Sequence, residues 1–164
     1  MKGTLRIAVL AAAATLLSAT VGHAEEGPTR AAYVEQVEPI CQANTEANKR
    51  ILAHARERAT SKRRRDVLRA AGQFIRASEA FGKAVDKIAA VPQPLADEPR
   101  LVKWLKHLRI VKTDLRKLGK ALKEGDKIRA AHERIRVERA ANASNNAGFV
   151  FNFHYCYLTQ SRFM

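Results

Sequence analysis

The residues best equipped for covalent chemistry in this chain are its only two cysteines, Cys41 and Cys156. A thiol can attack a substrate, hold a metal or close a bridge. No His or second Cys stands at ligand spacing beside either one, which argues against a metal site. Neither lies in a Cys-x-x-Cys or nucleophile motif, which leaves redox and acyl-transfer chemistry without a signature. An even count in a chain that leaves the reducing cytosol reads as a disulfide, and only one pairing exists. Closing so long a loop stabilises by about 4 to 5 kcal/mol in the chain-entropy model. Two unpaired buried thiols are the competing reading.

His54, His107, His132 and His154 fall in separate segments and form no His-x-x-x-His or Glu-x-x-His pair. There is no glycine-rich phosphate loop and no haem attachment motif. The expectation is a protein that is not an enzyme, with no metal and no cofactor.

Charge is the next resource. Between Arg100 and Lys123 stand nine basic residues, Arg100, Lys103, Lys106, Arg109, Lys112, Arg116, Lys117, Lys120 and Lys123, against Asp114 alone. Lys62 to Lys87 carries eight basic and three acidic residues, whereas Arg30 to Arg58 is almost neutral. Such a run attracts polyanions by steering and counterion release. The partners expected are an anionic cell-envelope polymer or an anionic membrane surface. No aromatics interleave with the basic residues, so base stacking is unsupported and there is no specific nucleic-acid signature. An ordinary solvated face is the competing reading.

Four asparagines complete the set. Asn44 and Asn48 lie one helical turn apart on an apolar stripe, and Asn142 and Asn145 take stripe positions further on. Buried amides need partners. They either fix helix register or line a polar pocket for a small ligand.

These residues need elements to hold them, and four stretches have helical periodicity. The first, about Thr29 to Glu57, carries Tyr33, Val37, Cys41 and Ile51 on one stripe, with Pro39 predicting a kink or a late start. The second, about Lys62 to Ala90, repeats Val67, Ala71, Phe74, Ser78, Phe81, Val85 and Ile88 as a heptad seam. Val91-Pro92-Gln93-Pro94 breaks the pattern, and Asp97 before Glu98-Pro99 is placed to cap the third helix. Its stripe is Leu101, Trp104, Leu108, Val111, Leu115, Leu118 and Leu122, closed by Gly125, with Asp126 as the next N-cap. The fourth offers Ile128, Ala131, Ile135 and Ala141.

Short connections predict an all-α fold, an antiparallel up-down-up-down four-helix bundle. That topology brings Cys41 and Cys156 to the same end. After it, Phe149, Phe151, Phe153, Tyr155 and Tyr157 alternate at every second position. Period two suggests a strand. With no partner strand, the expectation is an aromatic C-terminal cap over the core, or else an exposed aromatic binding surface.

The N-terminus explains the redox setting. Lys2 and Arg6 precede an apolar run from Ile7 to Ala19, and Gly22-His23-Ala24 has the small residues of a cleavage site. Residues 1–24 therefore read as a signal peptide, too short to span a membrane. Residues 25–164 read as one helical-bundle domain, exported to the periplasm or beyond, with no transmembrane segment after cleavage. They keep 28 basic against 16 acidic residues, a net charge of +12.

Tyr33-Val34, Val37-Glu38-Pro39-Ile40-Cys41, Ala43-Asn44-Thr45-Glu46-Ala47-Asn48, the Val91 to Pro94 break, Trp104 in a Leu-rich helix and a cysteine before Ser161-Arg162-Phe163 carry a resemblance. The chain is similar to a group of small exported bacterial helical proteins with no assigned activity. The resemblance implies fold and export and assigns no functional residue.

Overall fold

The structure, a computed structural model, describes residues 27–159. The signal peptide expected at 1–24 and the Ser161-Arg162-Phe163 segment lie outside the described residues.

Among those residues the chain is all-helical. The elements are α1 (Arg30–Ile51), α2 (Ala55–Ala59), α3 (Arg64–Ala89), α4 (Glu98–Glu124) and α5 (Lys127–Gly148), with single 3-10 turns at Leu95–Asp97 and Phe149–Phe151. Five helices stand where the periodicity predicts four. The extra one arises because the first stretch stops at Ile51. His54 takes the left-handed conformation at φ 60°, and α2 begins after it. No glycine or proline causes that break. The Gln73 amide of α3 donates to the Ile51 and Ala53 carbonyls at 2.7 and 2.9 Å, satisfying acceptors that a continuous helix would have used itself. Pro39 sits inside α1 without ending it.

The core is built on α3 and α4. Every predicted stripe residue of α4 is buried, and so is the α3 seam apart from Val67, which packs on its edge. Gly119 lets these helices approach closely: a Cβ there would lie 2.9 Å from the Ala71 carbonyl oxygen. α1 packs chiefly against α3, and α5 against α4. The stripe expected on α5 holds only at Ala141, which packs against the core, and Ala131 is exposed. Ile128 is 75% exposed and Ile135 also faces solvent, while the buried face is Ala130, Val137, Ala140, Ser144, Asn145 and Gly148.

Two end devices differ in outcome. Asp126 caps α5 as expected, accepting from the Arg129 amide at 2.9 Å. Asp97 precedes α4 but makes no side-chain cap bond. Its buried carboxylate instead accepts from both ends of the Arg30 guanidinium, at 2.7 and 2.6 Å. A bidentate charged pair outcompetes a single neutral amide donor.

Arg64 resolves part of the Lys62-Arg63-Arg64-Arg65 run. A cation at the start of α3 opposes the helix dipole, yet its guanidinium reaches the Leu122 and Lys123 carbonyls at the end of α4. There it meets unpaired acceptors and the negative pole of the neighbouring helix.

Candidate functional site

The C-terminal segment is the best-anchored irregular stretch, and α1 supplies most of the anchors. Glu38, Cys41 and Thr45 recur at three- and four-residue steps, hence on one face of the helix. The Glu38 carboxylate accepts from the His154 and Tyr155 backbone amides at 2.5 and 2.8 Å. Cys41 and Cys156 form a disulfide, and both are buried. The Thr45 hydroxyl reaches the Tyr155 carbonyl at 3.5 Å. From α5, the Asn145 amide donates to the Leu158 carbonyl and accepts from its N–H, each at 2.8 Å. Glu38 and Thr45 carry no signal individually, but their register with Cys41 does.

The aromatic residues do not form a strand. Phe149–Phe151 is a 3-10 turn, and Asn152 turns the chain in the left-handed region at φ 51°. Phe151 is buried, and Phe153 stacks on both Phe151 and Trp104, with centroids 5.3 and 4.7 Å apart. Phe149 points outward and is 77% exposed, and Tyr157 is 48% exposed. The alternation therefore divides into a packed aromatic cluster and an exposed rim.

Between the rim and α4 lies a groove of about 150 Å³, bordered by Trp104, Gly148, Phe149, Asn152, Phe153 and Tyr157. Trp104 is 1% exposed, and a Cβ on Gly148 would lie 3.1 Å from its indole nitrogen. On the other side of the disulfide, a space of about 10 Å³ is lined by Asn44, Thr45, Phe81 and Leu108 among others. It has room for a single water at most.

The four asparagines do not converge. Asn48 is buried and donates to Asn44 at 3.0 Å, leaving its own carbonyl oxygen unpaired. Asn145 spends its amide on Leu158, and Asn142 is exposed rather than on the buried stripe.

The basic residues of α4 occupy the solvent face. Arg100, Lys103, Lys106, Arg109, Arg116, Lys117, Lys120 and Lys123 are exposed, and Lys112 is half-buried with its methylene chain across Gly82. Among the described residues only Lys117 has an acid within 4 Å, Asp114 at 3.7 Å, while Arg100 also acts on Asp97 at longer range. Asp114 is itself buried, and Arg136 of α5 also approaches it, at 3.6 Å. The one acid within the run thus points into the α4–α5 interface. Burial, reinforced by Lys103 and Lys106, holds the His107 pKa below the usual histidine range.

No helix among the described residues is long and apolar enough to cross a membrane, and no three His, Cys, Asp or Glu side chains gather there into a metal-sized cluster. Comparison with protein-family models, with curated proteins and with solved structures returns no match.

Proposed function

We propose that the chain is an exported, non-enzymatic envelope or extracellular protein that binds a polyanion, an anionic cell-envelope polymer in the first instance, along the outer face of α4. The observation that carries this reading is the lack of compensation. Eight exposed cations stretch over about 35 Å of helix, and the single acid among them is turned inward. Opposed charges interspersed on a surface cancel within a Debye length, whereas an unbroken row sums.

The reading includes the antiparallel up-down-up-down four-helix bundle. Its support is the order of contacts: Arg64 meets Leu122 while Gly82 meets Lys112, Asp114 meets Arg136 while Trp104 meets Gly148, and Ile51 meets Gln73. Rising numbers on one helix meet falling numbers on the next, with α2 as an offshoot of the first. Export is supported by the closed disulfide, which a reducing compartment would not preserve. The alternative, a small-ligand carrier around Asn44, Asn48, Asn142 and Asn145, has less to stand on, since the adjoining space is about 10 Å³.

The test is retention on an immobilised anionic polymer across a salt gradient. Steep salt dependence is expected, and Lys103→Glu/Lys106→Glu/Lys120→Glu should abolish retention. The control Lys49→Glu/Arg50→Glu/Arg56→Glu, with the same change in net charge on α1 and α2, should retain most of it. Salt-insensitive behaviour, or equal loss in both triple variants, would refute a role for α4.

A further inference from the structure

We propose that the polyanion is a linear phosphate polymer lying along the seam between α3 and α4, held by a row of cations from each helix, with Arg69, Arg76 and Lys83 of α3 as binding residues beside those of α4. The inference rests on the polyanion reading and gives it a second helix and a ligand chemistry.

The register of the two helices comes first. Arg64 meets the Leu122 and Lys123 carbonyls, Gly119 faces Ala71 and Ile75, and Gly82 faces Lys112. Antiparallel pairing at that register sets Arg69 level with Lys120, Arg76 with Arg116 and Lys83 with Lys112. Arg69, Arg76 and Lys83 recur every seven residues and so share one face of α3. Arg76 and Lys83 each follow by one position a residue that meets α4, Ile75 and Gly82, which puts their row on the solvent side of the contact. On α4, Lys120 adjoins Gly119 and Arg116 lies one turn before it. All five of these cations other than Lys112 are exposed.

Like charges at matching levels are the reverse of what stabilises a helix pair. Packed helix axes lie about 8 to 10 Å apart, close to the Debye length at physiological salt, so the rows repel each other in the free protein. Lys112 concentrates the charge further. Its methylene chain crosses to Gly82, where an added Cβ would lie 3.2 Å from its ammonium nitrogen. Acids do little to offset the rows. Glu79 is the only one in residues 69–83, and Asp114, the only one in residues 109–123, is buried towards α5.

Charge spacing selects the polymer. Residues 69–83 and 109–123 hold nine basic and two acidic residues, a net charge of +7. Each stretch is about 21 Å long, which gives one charge per about 3 Å of seam. A single phosphodiester strand carries one charge per about 3.4 Å. A polymer with a phosphate in every repeat therefore meets nearly every cation and releases the counterions condensed on it, whereas a sparsely carboxylated polysaccharide leaves most of the cations unmatched. The only aromatic residues of the two stretches, Phe74 and Phe81, are buried. Nothing on the seam stacks on a base, so recognition reads phosphate alone.

Calorimetric titration of the full, disulfide-closed protein with inorganic polyphosphate across a salt series tests the assignment. The slope of log K against log salt should be about −5 for the parent and about −3 for Arg69→Gln/Arg76→Gln/Lys83→Gln. The control Lys49→Gln/Arg50→Gln/Arg56→Gln should keep the parental slope. The α3 variant should melt no lower than the parent, since it removes repulsion and no packing. Hyaluronan should bind at least about tenfold more weakly at equal anion concentration, and oligothymidylate with the same number of phosphates should bind no more tightly than polyphosphate. A parental slope in the α3 variant, alongside lost binding in Lys103→Glu/Lys106→Glu/Lys120→Glu, would overturn the seam and leave the polyanion reading standing on α4 alone. Hyaluronan as tight as polyphosphate, or oligothymidylate about tenfold tighter, would overturn the phosphate assignment. A parent that binds none of the three polymers would overturn both the seam and the reading beneath it.

Discussion

Gly119 and Gly82 both sit buried in the α3–α4 interface, yet alanine at the two positions should act with opposite sign. At Gly119 an added Cβ would lie 2.7 Å from Ile75 Cγ1, 2.9 Å from the Ala71 carbonyl oxygen and 3.2 Å from the Ile75 amide nitrogen. Carbon contacts are comfortable only at about 3.5 Å and beyond, and two of these atoms belong to the α3 backbone. Relief requires moving a helix, which costs about 2 to 3 kcal/mol, the upper part of the overpacking range. Replacing glycine within a helix returns about 1 kcal/mol. The net for Gly119→Ala is a destabilisation of about 1 to 2 kcal/mol. At Gly82 the nearest atom is also at 2.7 Å, but it is Cε of Lys112, followed by Cδ at 3.0 Å. A lysine stem can swing aside, so the helix gain survives and Gly82→Ala should stabilise by up to about 1 kcal/mol. The two variants should differ by about 1 to 3 kcal/mol, or about 3 to 15 °C in Tm for a domain of this size. Urea melts followed by far-UV circular dichroism, with the disulfide intact, give both numbers. If Gly119→Ala is as stable as the parent, or both variants shift in the same direction, the close-approach account of the interface is wrong.

Opening the disulfide by Cys41→Ala/Cys156→Ala should lower stability by up to about 5 kcal/mol, because the bridge spans 115 residues; chemical denaturation measures it, and a loss under 1 kcal/mol would contradict the estimate. Asp97, whose pKa is held down chiefly by its hydrogen bonds to Arg30, contributes stability that is present above the ordinary carboxylate range, near about pH 4, and is lost as pH falls through the lower folded-state value. Asp97→Asn should therefore flatten the acid limb of a stability–pH profile, and an unchanged acid limb would contradict the pairing. Tyr33 is fully buried with no partner for its hydroxyl among the described residues, and burial pushes its pKa up to about 12. Tyr33→Phe should accordingly be neutral or stabilising in the same melts, and a loss above about 1 kcal/mol would reveal a partner for the hydroxyl.

The sequence was most legible where large apolar side chains define a face. Leu101 to Leu122 announces its seam because each step of three or four lands on a bulky residue, and Val67 to Ile88 does so everywhere but at Ala71 and Ser78. α5 misleads for the converse reason. Apart from Val137, its buried face is made of Ala130, Ala140, Ser144, Asn145 and Gly148, and small or polar residues register weakly in any hydrophobic pattern. Ile128 and Ile135, the residues that do register, face outward. The break after Ile51 was illegible because its cause is Gln73, more than twenty positions away. Asp97 sits at a position well suited to an N-cap, and its diversion to Arg30 depends on a helix start 67 residues earlier. Local rules identified which groups needed partners, and tertiary structure chose among the partners.

The Val-Glu-Pro-Ile-Cys stretch gains a physical meaning from the same logic. Glu38 and Cys41 are three apart and Cys41 and Thr45 four apart, so a single face of α1 presents a carboxylate, a thiol and a hydroxyl to the incoming segment. Each takes a different group from it: two backbone N–H donors, the Cys156 sulfur and the Tyr155 carbonyl. The His154 and Tyr155 amides and the Tyr155 carbonyl lie in irregular chain that no helix or sheet serves, so their partners come from side chains. Asn145 does the same for Leu158 from α5. The segment is thus fixed from two helices, with the disulfide at the centre of a set of hydrogen bonds that would position it even when reduced. That arrangement accounts for a pair of exposed aromatic rings held at a defined place on an otherwise cationic surface. Phe149 and Tyr157 flank the anchored stretch, and two of its anchors, Asn145 and Cys156, border the groove between them.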